Sequence, residues 1–164
     1  MNIGGGSTES AVISLGGVVV SSSVRVAGNK VDEAVAAYAK KKFNLLIGDT
    51  TAETIKIDIG NAVVDVDAKK IGSLKSMEVR GRDNVSGLPR TIVLDETKIN
   101  EAIKPALLDI VQGVKDVLEQ CPPELASDII DKGIIMSGGT SLLTNFDKLM
   151  TEMTGVPCHV ADDS

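Results

Sequence analysis

The sequence predicts an α/β fold, and three observations carry that prediction. Short apolar β-type runs flank two glycine-rich turns, Gly4-Gly5-Gly6-Ser7-Thr8 near the start and Ser137-Gly138-Gly139-Thr140 near the end. Between them, a stripe of apolar residues at three- and four-residue spacing marks one long helix. With 164 residues, 43% of them hydrophobic, the chain has material for one substantial domain or two small lobes around a real core.

The elements follow in order. The first 26 residues read as strands and tight turns, with Ala11–Leu15 and Val18–Val26 forming a hairpin about Gly16-Gly17. Asn29 to Phe43 reads as a helix with Val31, Val35, Ala36 and Tyr38 or Ala39 on one face. Thr50 or Thr51 is placed to cap a second helix that runs through Ile55 and Ile59 and ends at Gly60-Asn61. Ala62 to Gly72 is mixed and polar, a loop or irregular hairpin. Ser76–Gly81 and Pro89–Leu94 read as two strands about the turn 83–87.

After Asp95 comes the long helix: Ile99, Ile103, Leu107, Ile110, Val111, Val114, Val117 and Leu118 form its apolar stripe. Pro105 should kink it or begin a new first turn, and Cys121-Pro122-Pro123 stops it. A short helix about Glu124–Asp131 leads to a strand at Gly133–Met136. Ser141 to Met153 then reads as a helix with Leu142, Leu143, Phe146, Leu149 and Met150 facing inward.

Composition excludes several functions. A net charge of −6 and an aromatic content of 2% leave neither a basic surface nor stacking platforms for nucleic acid. Lys40-Lys41-Lys42 is read as a solvated helix end at the negative pole of the macrodipole. The longest apolar stretch, Val12 to Val26, is broken by glycines and serines, so nothing here inserts into a membrane. Cys121 and Cys158 are expected as reduced thiols in a cytoplasmic protein. His159 beside Cys158 is read as a strand histidine rather than half of a nucleophile pair. Asp65 and Asp67 alternate as calcium ligands do, but Ala68-Lys69-Lys70 adds no further ligand, and no metal-binding spacing is present.

The glycine turns carry the chemistry. Successive glycines after or before a strand let backbone N–H groups approach an anion without obstruction from Cβ, and a following helix adds its positive pole. Two such turns in one small fold point to a nucleotide held from two sides.

Four segments then carry a resemblance: Ile3-Gly4-Gly5-Gly6-Ser7-Thr8-Glu9, Thr51-Ala52-Glu53-Thr54-Ile55-Lys56, Glu119-Gln120-Cys121-Pro122-Pro123-Glu124-Leu125-Ala126 and Ser137-Gly138-Gly139. Together they resemble the MreB family of bacterial actin homologues, within the actin/Hsp70/sugar-kinase ATPase superfamily. The glycine turns alone would fit an Hsp70-like or sugar-kinase lobe equally; the Cys-Pro-Pro-Glu-Leu run is the more specific sign. The resemblance extends along essentially the whole chain and matches the second lobe of that family.

It implies an actin-like ATPase lobe made of an RNase H-like subdomain, residues 1–28 with 96–164, and a small inserted α+β subdomain, residues 29–95. Gly4, Gly5, Gly6, Ser7 and Thr8 match the second phosphate loop. Glu53 and Lys56 match the helix that meets ribose and adenine, and Gly138 and Gly139 match the adenosine loop. The implied cofactor is ATP with magnesium. The implied role is that of a cytoplasmic, filament-forming cytoskeletal protein that maintains rod cell shape, membrane-associated through the first lobe or through a membrane-anchored cell-elongation partner.

Two positions depart from the pattern: Asn2 stands where the superfamily has an aspartate, and Thr140 where a third glycine is expected. An amide offers magnesium no carboxylate and is a poor base, and loss of such a group typically costs about 10²–10⁴ in rate. A single lobe also keeps only part of the ligand contacts. Losing two or three charge-assisted hydrogen bonds, at about 1.5–3 kcal/mol each, turns an affinity of about 1 μM into about millimolar. The chain alone is therefore expected to bind ATP weakly or not at all and to show no meaningful turnover. A different reading of the same departures is a stand-alone module that docks on filaments or a partner and has lost nucleotide hydrolysis.

Overall fold

The first residues form the middle of a mixed sheet in the computed structural model, which describes residues 1–14, 17–64 and 75–161. Strand β1 (Asn2–Ile3) pairs antiparallel with β2 (Thr8–Ser14), and β2 with β3 (Gly17–Val24). On its other side, the Ile3 N–H donates to the Ser137 carbonyl and the Ser137 N–H to the Met1 carbonyl, both at 2.8 Å. That parallel bridge joins β1 to the end of β7 (Ile134–Met136), itself parallel to β8 (Cys158–Val160). The strands thus run in the order β3-β2-β1-β7-β8. Alternation sorts the faces: Thr8, Ser10 and Val12 of β2 are buried while Glu9, Ala11 and Ile13 are exposed. Gly17 opens β3 rather than sitting in the predicted turn; the turn's other residue, Gly16, and Leu15, expected to end the first strand, lie outside the described residues.

Helix α1 (Gly28–Phe43) buries Val31, Val35 and Ala39 as the periodicity predicts, and Asn44 ends it in the left-handed conformation at φ 52°. Strand β4 (Leu45–Leu46) follows; two residues leave no periodic signal, and the sequence did not reveal it. It pairs antiparallel with β5 (Ser76–Asp83), and β5 with β6 (Pro89–Asp95), in a second sheet.

Helix α2 (Asp49–Ile59) corrects one expectation: Gly48 occupies the N-cap and neither Thr50 nor Thr51 caps. Asp49 in the first turn compensates the dipole instead, and the Thr50 carbonyl accepts the Thr54 hydroxyl at 2.9 Å inside the helix. The predicted end at Gly60-Asn61 holds. The loop expected over 62–72 lies outside the described residues from residue 65 onward, Asp65 and Asp67 included.

Helix α3 (Glu96–Gln120) is the spine of the fold. Asp95 caps it, its carboxylate accepting the Lys98 N–H at 2.9 Å. The predicted stripe is buried except for a partly exposed Leu118. Pro105 starts no new helix: α3 is continuous through it. The proline lies on the exposed face, where water can take the carbonyl bond its missing N–H leaves open. Gly113 lets α3 approach β3, since a Cβ there would meet Val24 Cγ2 at 2.6 Å.

Cys121 ends α3, and α4 (Pro123–Lys132) leads into β7. The single helix expected over Ser141–Met153 is instead a 3-10 turn, Gly139–Leu142, and a separate helix α5 (Phe146–Thr154). Asn145 breaks them apart with φ 62°, held there as its Nδ2 donates to Asn61 Oδ1 at 2.8 Å. Leu142 consequently points outward, 63% exposed, while Phe146, Leu149 and Met150 face inward as predicted.

One contiguous core packs the α3 residues Ile99, Ile103, Leu107 and Ile110 against Ile3, Val31, Leu45, Ile55, Leu94, Phe146 and Met150. Each such side chain contributes about 1.5–3 kcal/mol through burial, so α3 fixes the elements on either side of it.

Candidate functional site

The parallel bridge between β1 and the end of β7 places the two glycine turns side by side, although more than 130 residues separate them. A Thr140 hydroxyl bond to the Gly4 carbonyl, 3.0 Å, ties the second turn to the first. Thr140 is thereby buried and its side chain engages the first turn. Ligand approach past this third-glycine position meets a tied-down hydroxyl.

The first turn is set by its own carbonyls. The Gly4 carbonyl accepts the Gly28 N–H at 3.0 Å and the Gly5 carbonyl accepts the Asn29 N–H at 2.8 Å. The loop therefore caps the N-terminus of α1, which has no side-chain cap of its own. The Gly4 N–H closes the turn on the Ser7 carbonyl at 3.1 Å. Among the described residues, the N–H groups of Gly5, Gly6 and Ser7 find no protein acceptor. A Cβ on Gly6 would meet nothing within 4 Å, so space lies open beside those donors. Three unpaired N–H groups at a helix N-terminus suit a phosphate. Thr8 stands apart: it is buried in β2 and its hydroxyl donates to the Val26 carbonyl at 2.7 Å.

The glycines of the second turn differ from each other. Gly138 has φ 90°, and a Cβ there would collide with the Ile3 carbonyl oxygen and sit 2.6 Å from Asn2 Oδ1. Its lack of a side chain serves the strand junction. Gly139 is exposed, with nothing within 4 Å of a Cβ, so it has no packing duty at the junction.

Lys56 and Glu53 lie one turn apart on α2. Glu53 is exposed, whereas the Lys56 ammonium turns to Asp32 of α1, 2.9 Å from its Oδ1, with side-chain exposures of 13% and 17%. The ammonium also lies 3.4 Å from where a Gly28 Cβ would be, as does the Gly4 carbonyl oxygen. Lys56, Gly4 and Thr140 thus converge on Gly28 at the head of α1. The sequence reading missed both Gly28 and Asp32. Gly28 was legible as a glycine between a strand and a helix; Asp32 bears only the weak mark of an acidic residue near a helix start.

Other candidates separate. Cys158 is buried and His159 exposed on β8, so alternation turns them to opposite faces and no Cys–His pair exists. Both cysteines are free and buried, and burial pushes the thiols of Cys121 and Cys158 up from their ordinary value. Among the described residues no group of three His, Cys, Asp or Glu is placed to hold a metal, and no helix is long and apolar enough to cross a membrane. A cavity of about 530 Å³ between α3, α4 and the sheet shares no lining residue with either glycine turn.

The family model described as MreB/Mbl protein matches residues 1–164. The cell shape-determining protein MreB of Escherichia coli is 48% identical over 163 residues, 99% of this chain and 45% of its own length. The cell shape-determining protein Mbl of Bacillus subtilis is 45% identical, with 99% and 47% covered. The crystal structure of MreB5 of Spiroplasma citri bound to ADP superposes with a TM-score of 0.92 at 39% identity, covering 99% of this chain and 48% of that one. The chain spans about half the length of each of these relatives.

Proposed function

Because this chain belongs to the MreB/Mbl family, we propose that it forms the nucleotide-contacting lobe of an actin-type, filament-forming protein that determines cell shape. The lobe divides into an RNase H-like subdomain, 1–28 with 96–164, and an inserted subdomain, 29–95. The observation that carries the reading is the meeting of the two glycine turns, with the N–H groups of Gly5, Gly6 and Ser7 unpaired beside open space.

In this reading the phosphates lie against the first turn, Gly4 to Ser7, with Thr8 anchoring its far end through Val26. The positive pole of α1 adds to the attraction of the N–H groups. Gly139 leaves room for the adenosine, Gly138 seats the turn on β1, and Glu53 and Lys56 supply polar contacts from α2. The relatives include MreB5 structures bound to ADP and to AMPPNP, which supports a nucleotide here. A magnesium ion would supply neutralisation of the phosphate charge, and Asn2 would offer it no carboxylate. Subunits assemble into filaments on the cytoplasmic side and meet a membrane-anchored partner of cell elongation. Turnover requires closure around the phosphates and exclusion of water, which one lobe cannot provide.

Calorimetric titration of Mg-ATP into the chain and into a Glu53→Ala, Lys56→Ala variant tests this. The expected dissociation constant is about millimolar, lost in the variant. Micromolar binding would overturn the argument that one lobe holds ATP weakly. Equal binding by the variant would overturn the assignment of the site.

A further inference from the structure

We infer that Asp32 is a positioning residue of the nucleotide site, acting through Lys56; this rests on the reading just given. A lysine ammonium has no intrinsic reason to lie at the head of α1. That end of the helix carries about half a positive charge and repels it. Lys56 is nonetheless only 13% exposed there, within reach of Gly28, and Asp32 is the acidic group beside it. The other charges nearby are accounted for: Glu33 pairs with Lys30 at 3.1 Å on the exposed face, and Glu53 is exposed. The carboxylate of Asp32, just past the first turn of α1, thus offsets both the helix pole and the desolvation of the ammonium.

The form of the pair suits a group that must turn to a ligand. Asp32 Oδ1 is shut off from solvent and, despite the 2.9 Å ionic contact, receives no aligned hydrogen bond. A buried acceptor left this way is unusual in a native protein and asks for a reason. An ammonium carries three donors, and its single close contact with Asp32 Oδ1 leaves the others able to reach a ribose or base. Lys56 touches the ligand; Asp32 keeps it within reach.

The test is ¹⁵N-lysine and amide NMR of the full chain titrated with Mg-ATP, for the wild type, Asp32→Asn, Lys56→Ala, the double variant and Asp32→Glu. The wild type is expected to show a slowly exchanging Lys56 ammonium signal and shifts of the Gly5, Gly6 and Ser7 amides on titration. Asp32→Asn should lose that ammonium signal and bind Mg-ATP about tenfold more weakly, as should Lys56→Ala, with the double variant no weaker than Lys56→Ala alone. Partial recovery in Asp32→Glu, with amide dispersion kept throughout, supports positioning over a structural role. Wild-type affinity in Asp32→Asn, or additive losses in the double variant, would overturn the inference and leave the site standing. Amides of Gly5 to Ser7 that never shift would overturn the site and the inference together.

Discussion

Replacing Gly138 by alanine isolates the structural duty of the second turn from the ligand contact proposed for it. The added Cβ would collide with the Ile3 carbonyl and lie 2.6 Å from Asn2 Oδ1, both on the central strand β1. The backbone at φ 90°, ψ 158° belongs to a region that only glycine occupies readily. Strain in such a region costs about 1–3 kcal/mol, and forced overpacking about 1–3 kcal/mol more. A total of about 2–6 kcal/mol is a large part of the 5–15 kcal/mol that typically holds a domain together. For a chain of 164 residues, it lowers the melting temperature by roughly 5–20 °C. Thermal unfolding followed by circular dichroism reads this directly. Gly139→Ala is the control, because a Cβ there meets nothing; it should melt within a few degrees of wild type and weaken Mg-ATP binding only. A Gly138→Ala protein that melts with the wild type would refute the claim that this glycine seats the turn on β1.

Other perturbations have equally definite outcomes. Pro105→Ala should stabilise the chain by up to about 3 kcal/mol, because it restores a backbone donor on the exposed face of a continuous helix; urea denaturation checks it. Leu107→Ala, at a fully buried position of α3, should cost about 2–5 kcal/mol in the same assay. The N–H groups of Ser86 and Val85, with Arg90 beside them, hold the Asp83 carboxyl at about 2, below its ordinary value of 3.8. The sign follows: the turn's stabilisation by Asp83 is fully present above about pH 4 and is lost as pH falls through about 2. Protection of the Val85 and Ser86 amides from hydrogen exchange, taken relative to their intrinsic rates, should therefore fall across that window, and Asp83→Asn should remove the dependence. Burial of Cys121 and Cys158 predicts slow reaction of both thiols with disulfide reagents at neutral pH until the chain is unfolded.

The parts of the fold legible in the sequence are those whose cause is local. The stripe of α3 runs over about five turns, so its period emerges despite Pro105. Val31, Val35 and Ala39 do the same for α1. β4 escaped because two residues carry no period, and its partner strand lies more than 30 residues away. The break between the 3-10 turn and α5 escaped because Asn145 answers to Asn61, 84 residues earlier. The candidate site divides in the same way. Glycines 4 to 6 and 138 to 139 announce close backbone approach, but only the Ile3–Ser137 junction distinguishes the seating glycine from the open one. In sequence Thr8 looks like a ligand donor and Thr140 like a side chain in place of a glycine; in space Val26 and Gly4 have already taken their hydroxyl protons. Asp32 was invisible as a partner of Lys56 because two different helices present them.

The position of β1 also has a consequence for how the chain folds. Its two residues lie between β2, only a few residues downstream, and Ser137, near the far end. The hairpin side can form early, whereas the other side waits for a loop of more than 130 residues to close. Such long-range closure is slow relative to local pairing. The two glycine turns consequently come together after the local hairpin, when that junction closes.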